Sequence, residues 1–147
     1  MTRRSQEAVE ILLVDDHLGD VRLTKEALAD CQVRTNLSVA LDGEEAMAFL
    51  RREGRFADAT RPDLVLLDLN LPKKNGLKVL GEIRADPALI EIPVIVLTTS
   101  TSEKDILAAY QLHANCYITK PVELDKFFEV IRLIERFWLT IVEFPRR

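Results

Sequence analysis

Five polar residues of this chain could carry one piece of chemistry together: Asp15, Asp16, Asp68, Thr98 and Lys120. Each stands where an apolar run stops. Val9 to Val14, apolar apart from Glu10, runs into Asp15-Asp16-His17. Leu64 to Leu67 runs into Asp68, Pro93 to Leu97 into Thr98-Thr99, and Cys116 to Thr119 into Lys120-Pro121. Three carboxylates gathered in one place repel one another and call for a cation. Hard oxygen ligands with room left for water and a phosphoryl group suit Mg²⁺. A metal, an ammonium and a hydroxyl around one carboxylate are the equipment of phosphoryl transfer. The carboxylate attacks, and the other groups neutralise and hold the oxygens of the transferred group. Taken singly, each residue reads equally well as a cap or a surface charge, and Asp68 as the start of an Asx-turn. The chemistry therefore depends on a fold that brings all of them to one place.

The elements that would do so are legible. Short apolar runs bounded by turn residues read as strands buried on both faces, the pattern of a parallel sheet. Such runs occur at 9–14, 63–67, 93–97 and 116–119, and a partly alternating one at 36–41 belongs nearer an edge. Helical patterns alternate with them. The first opens at Gly19-Asp20 with Val21, Ala27 and Leu28 on one face. Others span Glu44 to Arg52 and Leu77 to Ala85, the latter broken by Pro87. Ser100 and Glu103 have capping-box spacing for a helix from Glu103 to Leu112. The last helix runs from about Glu123 into the Thr140 region. Five strands alternating with five helices predict a doubly wound α/β fold with helices on both faces of the sheet. Ligands in such folds sit beyond the carboxyl ends of the strands, where the five polar residues fall.

The chain has 147 residues, 48% of them hydrophobic and 30% charged, with a formal net charge of −4. This is the composition of a soluble globular protein of one domain. No apolar run is long enough to span a membrane, and Met1 to Glu10 carries no export signal. Cys31 and Cys116 fit no metal-ligand spacing and read as reduced thiols in the cytoplasm. Mild acidity and the lack of a basic stripe argue against nucleic acid as a partner.

Asp15-Asp16, Asp68, Thr98-Thr99 and Lys120-Pro121, with 30 residues from Asp68 to Thr98 and 22 from Thr98 to Lys120, resemble the response-regulator receiver domain of two-component signalling. The resemblance covers about residues 9 to 137, which implies a single receiver domain with its core there and a C-terminal extension at about 138–147. It implies a flavodoxin-like sheet of order 2-1-3-4-5 and Asp68 as acceptor of a phosphoryl group from a sensor histidine kinase. It also implies Asp15, Asp16, Asp68 and the backbone carbonyl of Asn70 as Mg²⁺ ligands. Thr98 and Lys120 become the switch hydroxyl and the phosphate-binding ammonium, and Tyr117 the aromatic switch. The output is a conformational change of the face made by the fourth helix, fifth strand and fifth helix. In this family the Lys-Pro bond is usually cis. The stretches at 69–76, 96–100, 112–120 and 135–139 are further similar to single-domain regulators paired with phytochrome-type histidine kinases, although many cyanobacterial members have serine where Pro121 stands.

Two other readings compete. Haloacid-dehalogenase-type phosphatases use an aspartate nucleophile, Mg²⁺, a hydroxyl and a lysine on a similar sheet. They need a second aspartate two positions on as general acid–base, where this chain has Asn70. A pseudo-receiver, a phosphorylation-independent interaction module, usually lacks one of the acidic pair, the aspartate or the lysine. His17 and His113 read as surface or packing residues, and Lys73, Lys74 and Lys78 as a solvated face. On the last helix Leu124, Phe127, Phe128, Ile131, Ile134 and Trp138 form a stripe expected to face the sheet. Val130, Leu133, Phe137 and Ile141 form a second stripe, which predicts a homodimer unless the tail beyond folds back over it.

Overall fold

The structure is a computed structural model that describes residues 8–145. The polar N-terminus, Met1 to Glu7, expected to be frayed, lies outside the described residues, as do the last two residues of the C-terminal extension. Five strands, β1 (Val9–Val14), β2 (Thr35–Ala40), β3 (Leu64–Leu67), β4 (Val94–Thr98) and β5 (Cys116–Thr119), alternate with α1 (Leu18–Ala29), α2 (Gly43–Arg51), α3 (Gly76–Ala85), α4 (Glu103–Gln111) and α5 (Leu124–Ile134). All pairings are parallel and the order is β2-β1-β3-β4-β5, as the resemblance implies.

Alternation along the strands divides the core in two. Leu12, Val14, Val65, Leu67, Val94 and Val96 point to one face, where α2, α3 and α4 bring Ala46, Met47, Leu50, Val79, Leu80, Ile83 and Ala109. Ile11, Leu13, Leu64, Leu66, Ile95 and Leu97 point to the other, covered by Val21, Ala27 and Leu28 of α1 and Phe127, Ile131 and Ile134 of α5. Burial of each such large side chain stabilises the fold by roughly 1.5–3 kcal/mol. All four residues of β3 are buried, whereas β2, at the edge, is mostly half-buried.

Register makes the carboxyl ends level. Val14 stands opposite Ala40 and Leu67, Leu67 opposite Val96, and Thr98 opposite Thr119. The next amides continue the ladder: Asp15 N–H donates to Ala40 O at 3.0 Å, Asp68 N–H to Val14 O at 2.9 Å and Lys120 N–H to Thr98 O at 2.7 Å.

Some local expectations are corrected. Ser102, not Ser100, caps α4, its hydroxyl accepting from Asp105 N–H at 3.3 Å. The cap must directly precede the first helical residue, and Ser102 does. Among the described residues no peptide bond is cis, so the Lys120–Pro121 bond is trans, the form generally preferred by about 0.5–1 kcal/mol. Leu124 is exposed rather than on the sheet-facing stripe. After Ile134 the last helix continues as a π-turn, Glu135–Leu139, and just beyond it Val142 N–H again reaches back five residues, to Phe137 O at 3.0 Å. The wider turn delays the helical phase, so Leu139 is buried and Trp138 only half-buried.

Candidate functional site

Four strand ends and the loop after β3 build the site. β3 ends at Leu67 because Asp68 turns the chain. The Asp68 Oδ1 accepts from Asn70 N–H at 3.1 Å, an Asx-type bond, so the bland reading of Asp68 is true of one of its contacts. The loop then passes under two helix starts. A Cβ at Gly43 would lie 1.8 Å from Lys74 O, and one at Gly76 would lie 2.3 Å from Asp68 O. Only glycine allows α2 and α3 to begin this close to the backbone that carries Asp68.

The Thr98 hydroxyl, fully buried, donates to Asp68 Oδ1 at 2.7 Å. The Lys120 ammonium comes from the end of β5 and donates to Asp68 Oδ2 at 3.0 Å, Asp15 Oδ2 at 2.7 Å and Asp20 Oδ2 at 2.8 Å. Its three N–H groups therefore meet three carboxylates, with only 3% of the side chain exposed. Burial alone would lower its pKa, but the bonds to Asp15 and Asp20 and the charges of Asp15 and Asp68 outweigh it and hold the lysine above its ordinary range. Asp15 is raised from the ordinary carboxylate range, first by burial and with the Asp68 charge adding to it. The bonds from Lys120 and from His17 N–H (2.9 Å to Oδ1) work against that rise. A buried carboxylate held in this way is one that a cation would relieve.

Asp15, Asp16 and Asp68 each bring one oxygen to within 4.8 Å of the others, with Asp15 and Asp68 buried and Asp16 exposed. Three hard oxygen donors, one open to solvent, fit a small divalent cation that keeps some of its water. The five residues singled out by sequence are thus brought together. Asn70 is exposed and touches the group through its amide; its expected part as a carbonyl ligand goes beyond the contacts seen. Tyr117, half-buried on β5, donates its hydroxyl to Ser100 O at 3.0 Å. Ser100 in turn donates to Asp105 Oδ2 at 2.6 Å, so the β4–α4 loop is tied at both ends.

Asp20 was not singled out by sequence. It lies in the first turn of α1, where an acidic residue reads as ordinary helix-dipole compensation. Its only sequence signal is the offset of five from Asp15, about one and a half turns, which a helix starting after the acidic pair folds back over the strand end. His17 caps that helix, its Nδ1 accepting from Asp20 N–H at 3.2 Å, and is otherwise exposed. Lys73 and Lys74 pair with Asp42 and Glu82 at 3.6 and 2.7 Å.

The second stripe of α5 is open. Leu133, Phe137 and Ile141 are 61%, 51% and 67% exposed, and Val130 is half-buried. With Ile118, Ile134 and Trp138, the first two and Val130 line a groove of about 180 Å³. The tail does fold back, but it buries Phe144 in the core beneath α1 and α5 and leaves this stripe uncovered.

Comparison with known proteins agrees with the geometry. Residues 11–132 match the family described as the response regulator receiver domain. Response regulator Rcp1 of Synechocystis sp. is 47% identical over 145 residues, 99% of each chain. The crystal structure of the phosphorylated cyanobacterial phytochrome response regulator RcpA superposes with a TM-score of 0.93 at 51% identity, covering 95% of this chain and 100% of that one. The Mn²⁺-bound form of Rcp1 superposes with a TM-score of 0.91 at 48% identity, covering 94% and 99%. Among the described residues no helix is long and apolar enough to cross a membrane. A buried aspartate, lysine and threonine at the ends of three parallel strands, beside an acidic pair, on a chain with these relatives, make this protein a member of the response-regulator receiver family, a signalling protein.

Proposed function

We propose that Asp68 is the phosphoacceptor of a phosphorelay, taking its phosphoryl group from a histidine of a sensor kinase, and that the kinase is of the phytochrome type. The convergence of Thr98 Oγ1 and Lys120 Nζ on the Asp68 carboxylate, with Asp15 and Asp16 alongside, carries the reading. The likeness to phytochrome response regulators supports the choice of kinase. In the reaction an Asp68 oxygen bonds to phosphorus as the bond from phosphorus to the donor histidine nitrogen breaks. The electron pair leaves with the imidazole, which takes up a proton. Asp15, Asp16, Asp68 and the Asn70 carbonyl would hold Mg²⁺, which neutralises the carboxylates and the charge developing on the phosphoryl oxygens. Lys120 donates to one of those oxygens and Thr98 to another. Asn70 stands where a phosphatase needs an acid, and an amide moves no proton near neutrality.

The signal leaves through α4, β5 and α5. In the segment between β4 and α4, Ser100 N–H donates to Thr98 Oγ1 at 3.5 Å and Ser100 O accepts from the Tyr117 hydroxyl, so a change at Asp68 that shifts the Thr98 hydroxyl moves that loop. The protein in this reading is also a homodimer that uses Val130, Leu133, Phe137 and Ile141. A two-fold contact covers such a patch with its own copy.

Incubation with acetyl phosphate and MgCl₂ followed by mass spectrometry tests the acceptor. One phosphoryl group should appear on Asp68, and label elsewhere at full level would overturn the assignment. Sedimentation of wild type against Phe137→Glu tests the dimer, which requires a dimer in the first and a monomer in the second.

A further inference from the structure

Lys120 has one more carboxylate partner than the reaction needs. Asp15 and Asp68 both belong to the acidic trio that fits a cation. Asp20 does not. It reaches the ammonium from the first turn of α1, with its side chain 21% exposed against 3% for Lys120. Its Oδ2 takes Lys120 at 2.8 Å, and its Oδ1 faces the His17 ring, with 3.4 Å between Oδ1 and Nδ1.

The charges in this pocket change hands during the proposed reaction. A cation bound to the trio draws on the same oxygen atoms and charge that now hold Lys120. An acyl phosphate formed on Asp68 removes the formal charge of that carboxylate itself. Two of the three acceptors on the ammonium are therefore weakened when the lysine must point at a phosphoryl oxygen. A four-carbon side chain with a freed head has many rotamers, and a small misplacement is costly in a transfer reaction. Asp20 is the one acceptor that neither event touches. It is attached to the first turn of a helix whose backbone is fixed on both sides of it, by the His17 cap and by the Thr24 hydroxyl bonded to Asp20 O at 2.8 Å.

We infer that Asp20 is the positioning residue of the site: it anchors Lys120 from α1 so that one N–H stays aimed at the phosphoryl group when the cation and the acyl phosphate have claimed Asp15 and Asp68. This inference rests on the phosphoacceptor reading for its purpose, but not for its geometry.

Two measurements test it separately. The first is NMR of the Lys120 ammonium in protein labelled with ¹⁵N at lysine, with and without MgCl₂. In wild type the ¹⁵Nζ–H signal should survive in both conditions, its exchange slowed in this buried place by three acceptors without Mg²⁺ and by Asp20 with it. In Asp20→Ala with Mg²⁺ it should be lost, and in Asp20→Asn, which keeps an oxygen acceptor, it should persist. An ammonium signal as sharp in Asp20→Ala as in wild type, or absent from wild type, overturns the inference. The second is the rate of labelling by acetyl phosphate. Asp20→Ala should slow it between about 10- and 100-fold, the cost of losing a support behind a functional group, with Asp20→Asn closer to wild type. In a Lys120→Ala background Asp20→Ala should change the residual rate less than twofold, since a positioning residue has nothing left to position. Additive losses in that cycle overturn the inference. Absence of label in wild type overturns the phosphoacceptor reading instead and leaves the NMR result to judge Asp20.

Discussion

Two cations sit at opposite edges of this sheet, and their surroundings are opposite in kind. At the carboxyl edge Lys120 is bonded to three carboxylates. At the amino edge Arg84, reaching from α3, donates to His113 O at 3.0 Å, Ile90 O at 2.9 Å, Ile92 O at 2.8 Å and Asn115 Oδ1 at 3.0 Å. Asn115 Oδ1 also accepts from Val94 N–H at 2.8 Å, so the arginine staples the turns that enter β4 and β5. The four acceptors are neutral, and burial lowers the pKa of Arg84, whereas carboxylates hold that of Lys120 up. Backbone carbonyls cannot be bought off by a proton, a cation or a phosphoryl group. Carboxylates can. The amino edge is built to stay as it is, and the carboxyl edge to exchange partners.

The sharpest break in that comparison is Asp68→Asn. Phosphoryl label should fall by about a thousandfold or more, because an amide is no useful nucleophile, while the thermal midpoint holds or rises as like-charge crowding is relieved. Label retained at full level would end the division of labour between the edges.

Next comes the acidic pair. Asp16→Ala should weaken Mg²⁺ binding by about tenfold or more, read by titration calorimetry, and slow labelling in proportion. In wild type, Mg²⁺ at 100 times its dissociation constant should add about 2.7 kcal/mol of stability, and chelation should remove it. Unchanged affinity in both Asp15→Ala and Asp16→Ala would move the cation elsewhere.

Arg84→Met is the reciprocal test. Loss of its charged bonds to three carbonyls and an amide oxygen should cost about 1.5–3 kcal/mol in urea unfolding. Labelling of the folded fraction should stay within about twofold of wild type, and the Mg²⁺-dependent stabilisation should be kept. A labelling defect as large as that of Asp16→Ala would show that the two edges are coupled.

Thr98→Ala sharpens the carboxyl edge alone. The variant should still take up label, since the nucleophile and the acidic pair remain. The amide shifts of 100–119 on phosphorylation should shrink by at least half, because the hydroxyl between Asp68 and the β4–α4 loop is gone. Equal shifts in wild type and variant would place the coupling in another group.

The smallest effect concerns Cys31, which enters β2 at the amino edge. Its thiol is pushed up to about 12, by burial first and then by the bond and charge of Glu135. Thiolate is the reactive form, so alkylation should stay slow from pH 7 to 10, where an exposed thiol becomes fully reactive. Glu135→Gln should speed it severalfold; no change would leave burial as the whole cause.

Much of this was legible in the sequence because it depends on short-range pattern. Apolar runs with a polar residue at the end specify buried strands, and parallel pairing makes those ends coincide, so Asp15, Asp68, Thr98 and Lys120 could be brought to one edge without coordinates. Asp20 and Arg84 could not be found in the same way. Both are ordinary helix residues by type and position; the partner of Asp20 lies 100 residues away, and two of the four partners of Arg84 lie about 30 residues away. Ser100 was misread as a cap because several hydroxyls stand together, and only the first helical residue decides between them. Trp138 and Leu139 exchanged places because a period of 3.6 was extended through a turn that does not keep it.

That π-turn matters for anything attached to the end of α5. One extra residue in a turn rotates all that follows by about 100° relative to an unbroken helix. An engineer who grafts a coiled-coil output after Leu139 inherits that offset: a heptad seam drawn from the Phe127–Ile131–Ile134 face would emerge on the wrong side. Deleting one residue between Glu135 and Leu139 would restore the phase, and the same deletion would swing Phe137 away from Leu133. In this molecule the direction in which a fused domain would be driven is set by a single residue of slack.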